Sequence, residues 1–408
     1  MSLSSQSSPP LSAAPAATGA HVFLKLLPIS FAVFIGFLTM GMQLPVLPLY
    51  LHGSLGMSTL VVGLVIGAQF IVALLTRAWA GNFADSRGTK LAVVTGLLII
   101  ASSGLLYLAS LPFVSTPAIS VWILLSGRVV LALGESLVVT GSLGWGIGLV
   151  GPQNAGKVMA WVGIAIYGAF ALGAPIGVFL NAHQGFAGLA IGTILIPLLA
   201  LLIASRVPAL LPAASTRMAF YKVLGLVLIP GLGLALASIG FGVITGFIAL
   251  LFAARDWGNS SLAFTAFGVA FIGARILFGH LPDKLGGARV ALVSVIIEAA
   301  GLLLIWWADT TIISYLGVAL TGFGYSLAFP GFGVEAARRA PPQSRSVAMG
   351  AYVAFLDISL GIASPLAGLI AGQWGVHTVF LAGGVAVGLS LLIAVRLLGK
   401  APVGIQKN

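Results

Sequence analysis

Charge is what this chain has least of. Only 7% of its 408 residues are Asp, Glu, Lys or Arg, against about 25% in a soluble domain. A soluble globule of this length could not cover its surface with so few charges. Cysteine is absent, which removes disulfides, thiolate metal sites and Cys nucleophiles. The five His residues are scattered without metal-ligand spacing, so neither a metal nor another cofactor is expected. Residues 1–20 are rich in Ser, Ala and Pro and contain no Lys or Arg. The basic and apolar regions of a secretory signal are therefore missing, and the stretch reads as a disordered cytoplasmic tail. Gly231-Leu-Gly233 follows no strand, so it is not a dinucleotide loop.

What is present is long apolar sequence, with 59% hydrophobic residues. A bilayer crossing takes about 20 apolar residues. Twelve segments qualify: 26–51, 58–79, 90–110, 119–147, 157–180, 186–204, 222–251, 260–280, 289–308, 313–335, 347–371 and 377–397. They are numbered spans 1 to 12 in this order. The expected organisation is a tail over 1–22, a bundle over 23–205, a linker over 206–221, a second bundle over 222–400 and a tail over 401–408. The basic residues, from Lys25 to Lys407, flank the loops of one side; Arg255 alone lies on the other, and Arg128 lies inside span 4. Positive charge stays cytoplasmic, so both termini are expected in the cytoplasm. The net charge of +11 is thereby a topology signal. It implies weak attraction to anionic lipid head groups and no nucleic-acid partner.

The chain repeats itself. Arg77, Gly81, Asp85 and Gly88 recur as Arg275, Gly279, Asp283 and Gly286, at an offset of 275 − 77 = 198. Gly134-Glu-Ser-Leu137 recurs as Gly324-Tyr-Ser-Leu327, at 324 − 134 = 190. Each half holds an even number of spans, so the repeats run parallel, as in major facilitator transporters. On these residues the chain resembles bacterial members of the major facilitator superfamily, over residues 22–400. The loop 2–3 signature of that family is matched by Gly81, Asp85, Arg87, Gly88 and Lys90, with Thr89 where a second basic residue is usual. Gly127-Arg128 matches its second motif. Gly168, Gly173, Pro175 and Gly177 resemble the motif of proton-coupled antiporters, with Ala174 interrupting the Gly-Pro pair. Pro45-Val-Leu-Pro48 is similar to twelve-span drug:proton antiporters, and the look-alikes include arabinose-efflux-like bacterial sequences. The resemblance implies an all-α membrane protein of twelve transmembrane helices in two pseudo-symmetric six-helix bundles. It is expected in the bacterial inner membrane, as a monomer.

Asp85 and Asp283 are expected beside the N-termini of spans 11 and 5, near residues 346–348 and 156–158. A helix N-terminus attracts a carboxylate by about 0.3–2 kcal/mol. Such contacts would latch the cytoplasmic ends together; the plainer reading is that these charged loops only cap helices and set topology. A charge inside the bilayer costs about 2.5–3.5 kcal/mol and marks function. Arg128 and Glu135, seven residues apart, share one face of span 4, which lines the central cavity in the family. Glu135 is the first candidate for a proton carrier, because burial opposes its charge and a guanidinium favours it. A fixed Arg128–Glu135 ion pair is the alternative. Asp357 stands where the repeat has Tyr167, and is a second proton or substrate candidate, or else a buried partner for a hydroxyl or backbone group. Glu298 lies on a helix peripheral in the family, and a structural or lipid-edge role is expected. Glu335 is expected to pair with Arg338 and Arg339.

By the same resemblance spans 1, 4, 7 and 10 line the cavity with Phe37, Met40, Gln43, Phe241, Thr245, Tyr325 and Phe329. Such apolar walls suit a small amphipathic organic solute. The reading is an efflux transporter driven by the proton gradient; proton-coupled uptake and a non-transporting sensor are the alternatives.

Overall fold

The computed structural model describes residues 19–151, 154–209, 220–340 and 345–399. In a bilayer the chain must satisfy its own backbone donors and acceptors, so apolar segments of this length form helices. Span 1 is Gly19–Leu49, prolonged by a π-helical turn at Tyr50–Ser54. Spans 2, 3 and 4 are Thr59–Arg87, Thr89–Ser110 and Pro117–Val150. Spans 5 and 6 form one helical run, Ala155–Arg206, broken at Gly185, whose φ of 62° no helix accepts. Span 7 is Phe220–Ala254, span 8 Ser261–Phe278, span 9 Gly287–Trp307, span 10 Thr311–Arg339, span 11 Arg345–Trp374 and span 12 Thr378–Leu398. Among the described residues eleven helices are long and apolar enough to cross a membrane, and the one broken at Gly185, with 52 residues, is long enough to cross twice.

The architecture is all-α, with spans 1–6 and 7–12 forming two six-helix bundles. The bundles pack alike: span 1 lies on span 5 as span 7 lies on span 11, and span 3 on span 4 as span 9 on span 10. Apolar side chains face outward around the molecule, Leu75 at 73% and Trp307 at 74% exposure, as lipid contact requires. The expected linker falls largely on 210–219, outside the described residues.

One expectation needs correction. The twin motif is not a charged loop. In the first half nothing breaks the helix before Gly88, and span 2 runs through the motif, leaving Arg77 ten residues inside its end. Ala80 and Ala84 continue its packing face against Ala92 and Leu137. Arg275 likewise lies inside span 8, three residues from its end. Neither arginine is therefore a loop charge. In the second copy the helix stops at Phe278, and Pro282, which cannot donate to a running helix, starts the short helix Leu281–Leu285. Both copies close identically. Gly88 has φ 99° and ψ 143°, and Gly286 has φ 93° and ψ 141°, a conformation that side chains resist.

Among the described residues the close contacts between the halves gather toward one end. We call the end that holds residues 209 and 220 the terminal face, and the opposite end the far face. In the far half of the interface Thr59 donates to the carbonyl of Gly368 at 2.8 Å, and Thr265 to that of Ala171 at 2.7 Å. A Cβ at Gly67 would lie 2.8 Å from the carbonyl oxygen of Gly361, so spans 2 and 11 touch backbone to backbone. Residues 36–48 of span 1 and 240–252 of span 7 are all buried. Toward the terminal face this seal ends. A Cβ at Gly156, Gly163, Gly273 or Gly350 would meet nothing within 4 Å. Among the described residues the halves are sealed toward the far face and leave open space beside these glycines toward the terminal face.

Candidate functional site

The seal is an aromatic plug. Span 5 supplies Tyr167 and Phe170, span 7 Phe241, span 8 Phe267 and Phe271, and span 10 Tyr325. Phe241 stacks on Tyr325 at 5.7 Å and on Phe170 at 6.0 Å, and Tyr167 stacks on Phe271 at 3.7 Å. Phe37 joins through Phe170 at 6.3 Å. Of the cavity residues read from the sequence, Phe37, Met40, Gln43, Phe241, Thr245 and Tyr325 are buried, so in this conformation they fill the closed end. Phe329 is half-buried against Tyr352, 5.6 Å away.

Beside the plug, the first bundle encloses a polar network. Arg128 donates to Gln43 Oε1 at 2.8 Å, and the Tyr107 hydroxyl donates to the same oxygen at 3.1 Å. The Gln43 amide reaches Thr193 at 3.5 Å. Glu135 Oε2 accepts from Gln69 Nε2, which also touches Met40 Sδ at 3.5 Å. Glu135 Oε1 has no hydrogen-bond partner among the described residues. The two span-4 charges thus do not form the fixed ion pair held open above: each turns to a glutamine on another helix, Arg128 to span 1 and Glu135 to span 2. Gln69, Tyr107 and Thr193 were not singled out from the sequence. Gln69, an amide amid the apolar residues of span 2, was the legible one of the three.

Asp357 has a partner that the sequence did not suggest. Arg77 Nη2 lies 2.5 Å from Asp357 Oδ2, joining span 2 to span 11 and therefore one bundle to the other. This replaces the expectation of a hydroxyl or backbone partner. Its repeat counterpart is not ionic: Arg275 donates to the carbonyl of Ser326 at 2.7 Å and lies 5.3 Å from the Phe271 ring on which Tyr167 stacks.

Comparison with known proteins agrees with this architecture. The Major Facilitator Superfamily profile matches residues 29–229 and 230–408. An uncharacterized MFS-type transporter of Salmonella typhimurium is 42% identical over 389 residues, 95% of this chain and 98% of its own. Another, of Burkholderia mallei, is 44% identical over 92% of both chains. The chain belongs to the Major Facilitator Superfamily. It is a multi-pass membrane transporter, not an enzyme. The crystal structure of a D-xylose-proton symporter superposes with a TM-score of 0.76 at 15% identity, covering 93% of this chain and 97% of that one, which speaks to the fold.

Within this superfamily transporter the remaining motif residues fall as follows. Gly81 is buried and Asp85 half-buried in the last turns of span 2. Arg87 stands 5.6 Å over the Phe83 ring. Lys90 donates to the carbonyls of Ser205 and Val207 at 2.8 and 2.7 Å, capping the end of span 6. Asp283 and Gly156, the start of span 5 toward which it was expected to reach, are both exposed. Of residues 346–348, toward which Asp85 was expected, the side chains of 346 and 347 lie outside the described residues, and Ala348 is buried. Gly173 and Gly177 of the antiporter-like motif bring span 5 onto the span 1 backbone: a Cβ at Gly173 would lie 2.8 Å from the carbonyl of Leu38, and one at Gly177 would strike that of Met42. Pro175 is half-buried beside them, and Gly168 faces Phe34 and Ile272. Glu335 pairs with Arg339 at 3.0 Å and Arg338 at 3.4 Å. Of the structural and lipid-edge roles expected for Glu298, the second is excluded: it is 0% exposed. The helix is peripheral, but this position faces inward onto span 7.

Proposed function

We propose that this transporter is driven by protons and exports a small amphipathic organic solute from the cytoplasm by alternating access. Glu135 carries the reading. It sits mid-span, held through one oxygen by Gln69, with the other oxygen unpartnered. It can take a proton without losing its position. A proton on the unpartnered oxygen leaves the other able to accept from Gln69, while loss of the charge changes the balance with Arg128 across span 4. One charge falling through 100 mV supplies about 2.3 kcal/mol, enough for a useful concentration ratio per proton.

The flanking basic residues support a cytoplasmic terminal face; on that orientation the open space lies inward, where solute would be taken up. The membrane is the bacterial inner membrane, the relatives being bacterial. The Gly-Pro pattern around Gly173 and Pro175 favours antiport over symport, and the aromatic plug offers stacking surfaces to an amphipathic cargo. Everted vesicles loaded with protons and challenged with a compound panel test the reading. Solute-induced proton release into the medium, lost in Glu135→Gln, is the expected result. Uptake driven by an inward proton gradient in right-side-out cells would replace export by import.

A further inference from the structure

Glu298 is a buried carboxyl of the second bundle that the transport reading leaves unused and that, unlike Asp357 and Glu335, has no ion-pair partner among the described residues. It is 0% exposed, and neither of its oxygens has a hydrogen-bond partner among the described residues. Its carboxyl head is pressed against span 7. A Cβ at Gly240 would lie 2.5 Å from Glu298 Oε1, so any other residue there would have to displace the carboxyl head. Gly240 directly precedes Phe241 of the plug.

The fold does not need an acid at this place. Gly134 of span 4 rests on Gly96 and Ile100 of span 3, and its repeat mate Gly324 rests on Ser294 and Glu298 of span 9. The offset 298 − 198 = 100 makes Ile100 the counterpart of Glu298. An aliphatic side chain fills the position in one half and a carboxyl in the other. The ionisable neighbour is Tyr325 on span 10, the residue after Gly324, with Tyr167 of span 5 stacked in the same plug. Span 7 presents Gly240, and span 12 presents Gly383 and Gly384 along the Leu302 side; among the described residues no charged group pairs with Glu298. A carboxylate buried without a partner is strongly disfavoured and takes a proton instead.

We propose that Glu298 is a second proton-binding site, occupied while its head is sealed against Gly240 and emptied when span 7 moves and admits water. Its part in coupling rests on the proton-driven reading above; its protonation does not.

Infrared difference spectroscopy of the purified full chain, titrated with pH, tests this without any solute. A protonated-carboxyl stretch is expected that disappears in Glu298→Gln and survives in Glu135→Gln. Gly63→Leu, which pries spans 2 and 11 apart at the far face, is expected to lower the midpoint of that band by about one pH unit or more. A spectrum unchanged by Glu298→Gln would mean that Glu298 exchanges no proton across the titration and would overturn the site. A band that Glu298→Gln removes but whose midpoint Gly63→Leu leaves unmoved would show that the proton exchanges independently of the helix packing, and would overturn the coupling to span 7. Labelling of the wild type with an apolar carbodiimide, read by mass spectrometry, is independent of variant folding; modification at Glu298 is expected, and its absence counts against the site. If the infrared results hold while vesicles show no proton movement, the transport reading fails and the site stands.

Discussion

Arg77 and Asp357 face each other across the two halves of this transporter at 2.5 Å, the arginine 30% and the aspartate 4% exposed at the side chain. The pair lies between the sealed far ends of spans 2 and 11 and their open terminal ends. Arg77 opens the first copy of the repeated motif, so that motif does more than cap a helix: it ties the bundles together. Its mate Arg275 reaches a backbone carbonyl and a ring instead. The two flanks of the interface are alike in shape and different in charge.

Removing one member of the pair strands the other in a poorly hydrated place. Asp357→Asn and Arg77→Gln are each expected to destabilise the detergent-solubilised protein by about 3 kcal/mol. The double variant is expected to recover part of this. Thermal unfolding of all four proteins gives the coupling, and purely additive losses would deny it.

Gln43 accepts from both Arg128 and Tyr107. In Gln43→Leu both donors lose their acceptor, at a cost of about 2 kcal/mol. Gln43→Glu keeps an acceptor in place and is expected to retain most of the stability. A leucine variant that melts like wild type would show the network to be dispensable.

The shared backbone turn after each motif copy makes a symmetric prediction. Gly88→Ala and Gly286→Ala place a Cβ at φ 99° and φ 93°, costing about 1–2 kcal/mol each. Equal losses are expected in thermal unfolding, because the two turns match within a few degrees.

The absence of cysteine makes the chain a ready background for accessibility mapping. Gly163→Cys and Gly350→Cys are expected to react with an impermeant thiol reagent applied at the terminal face, and Thr245→Cys to be protected at the far face. Adding Gly63→Leu is expected to expose Thr245→Cys from the far side. Asp85→Asn, which weakens the closed terminal face, is expected to raise labelling at Gly163→Cys and Gly350→Cys. Patterns that do not change would remove the latch role from the motif.

Composition and periodicity established the membrane class, the number of crossings and the duplication. Apolar length is a local property, and bilayer chemistry leaves a long apolar segment little alternative to a helix. The repeat located Arg77, Arg275, Gly88 and Gly286, and intramembrane charge picked out Arg128, Glu135, Glu298 and Asp357. The partners of those charges were not legible. Nothing in spacing joins Arg77 to Asp357, 280 residues apart, or turns Glu135 from Arg128 toward Gln69. Nor does it press Glu298 inward against a glycine of span 7. Such contacts are decided by how helices rotate and approach one another once packed, and that depends on where backbones can touch, at pairs such as Gly67 and Gly361 or Gly173 and Gly41. The sequence determined which residues cross the membrane and which of them carry charge there. Only the tertiary structure decided which charges meet, because in a low-dielectric interior a charge takes the nearest polar group the packing brings to it.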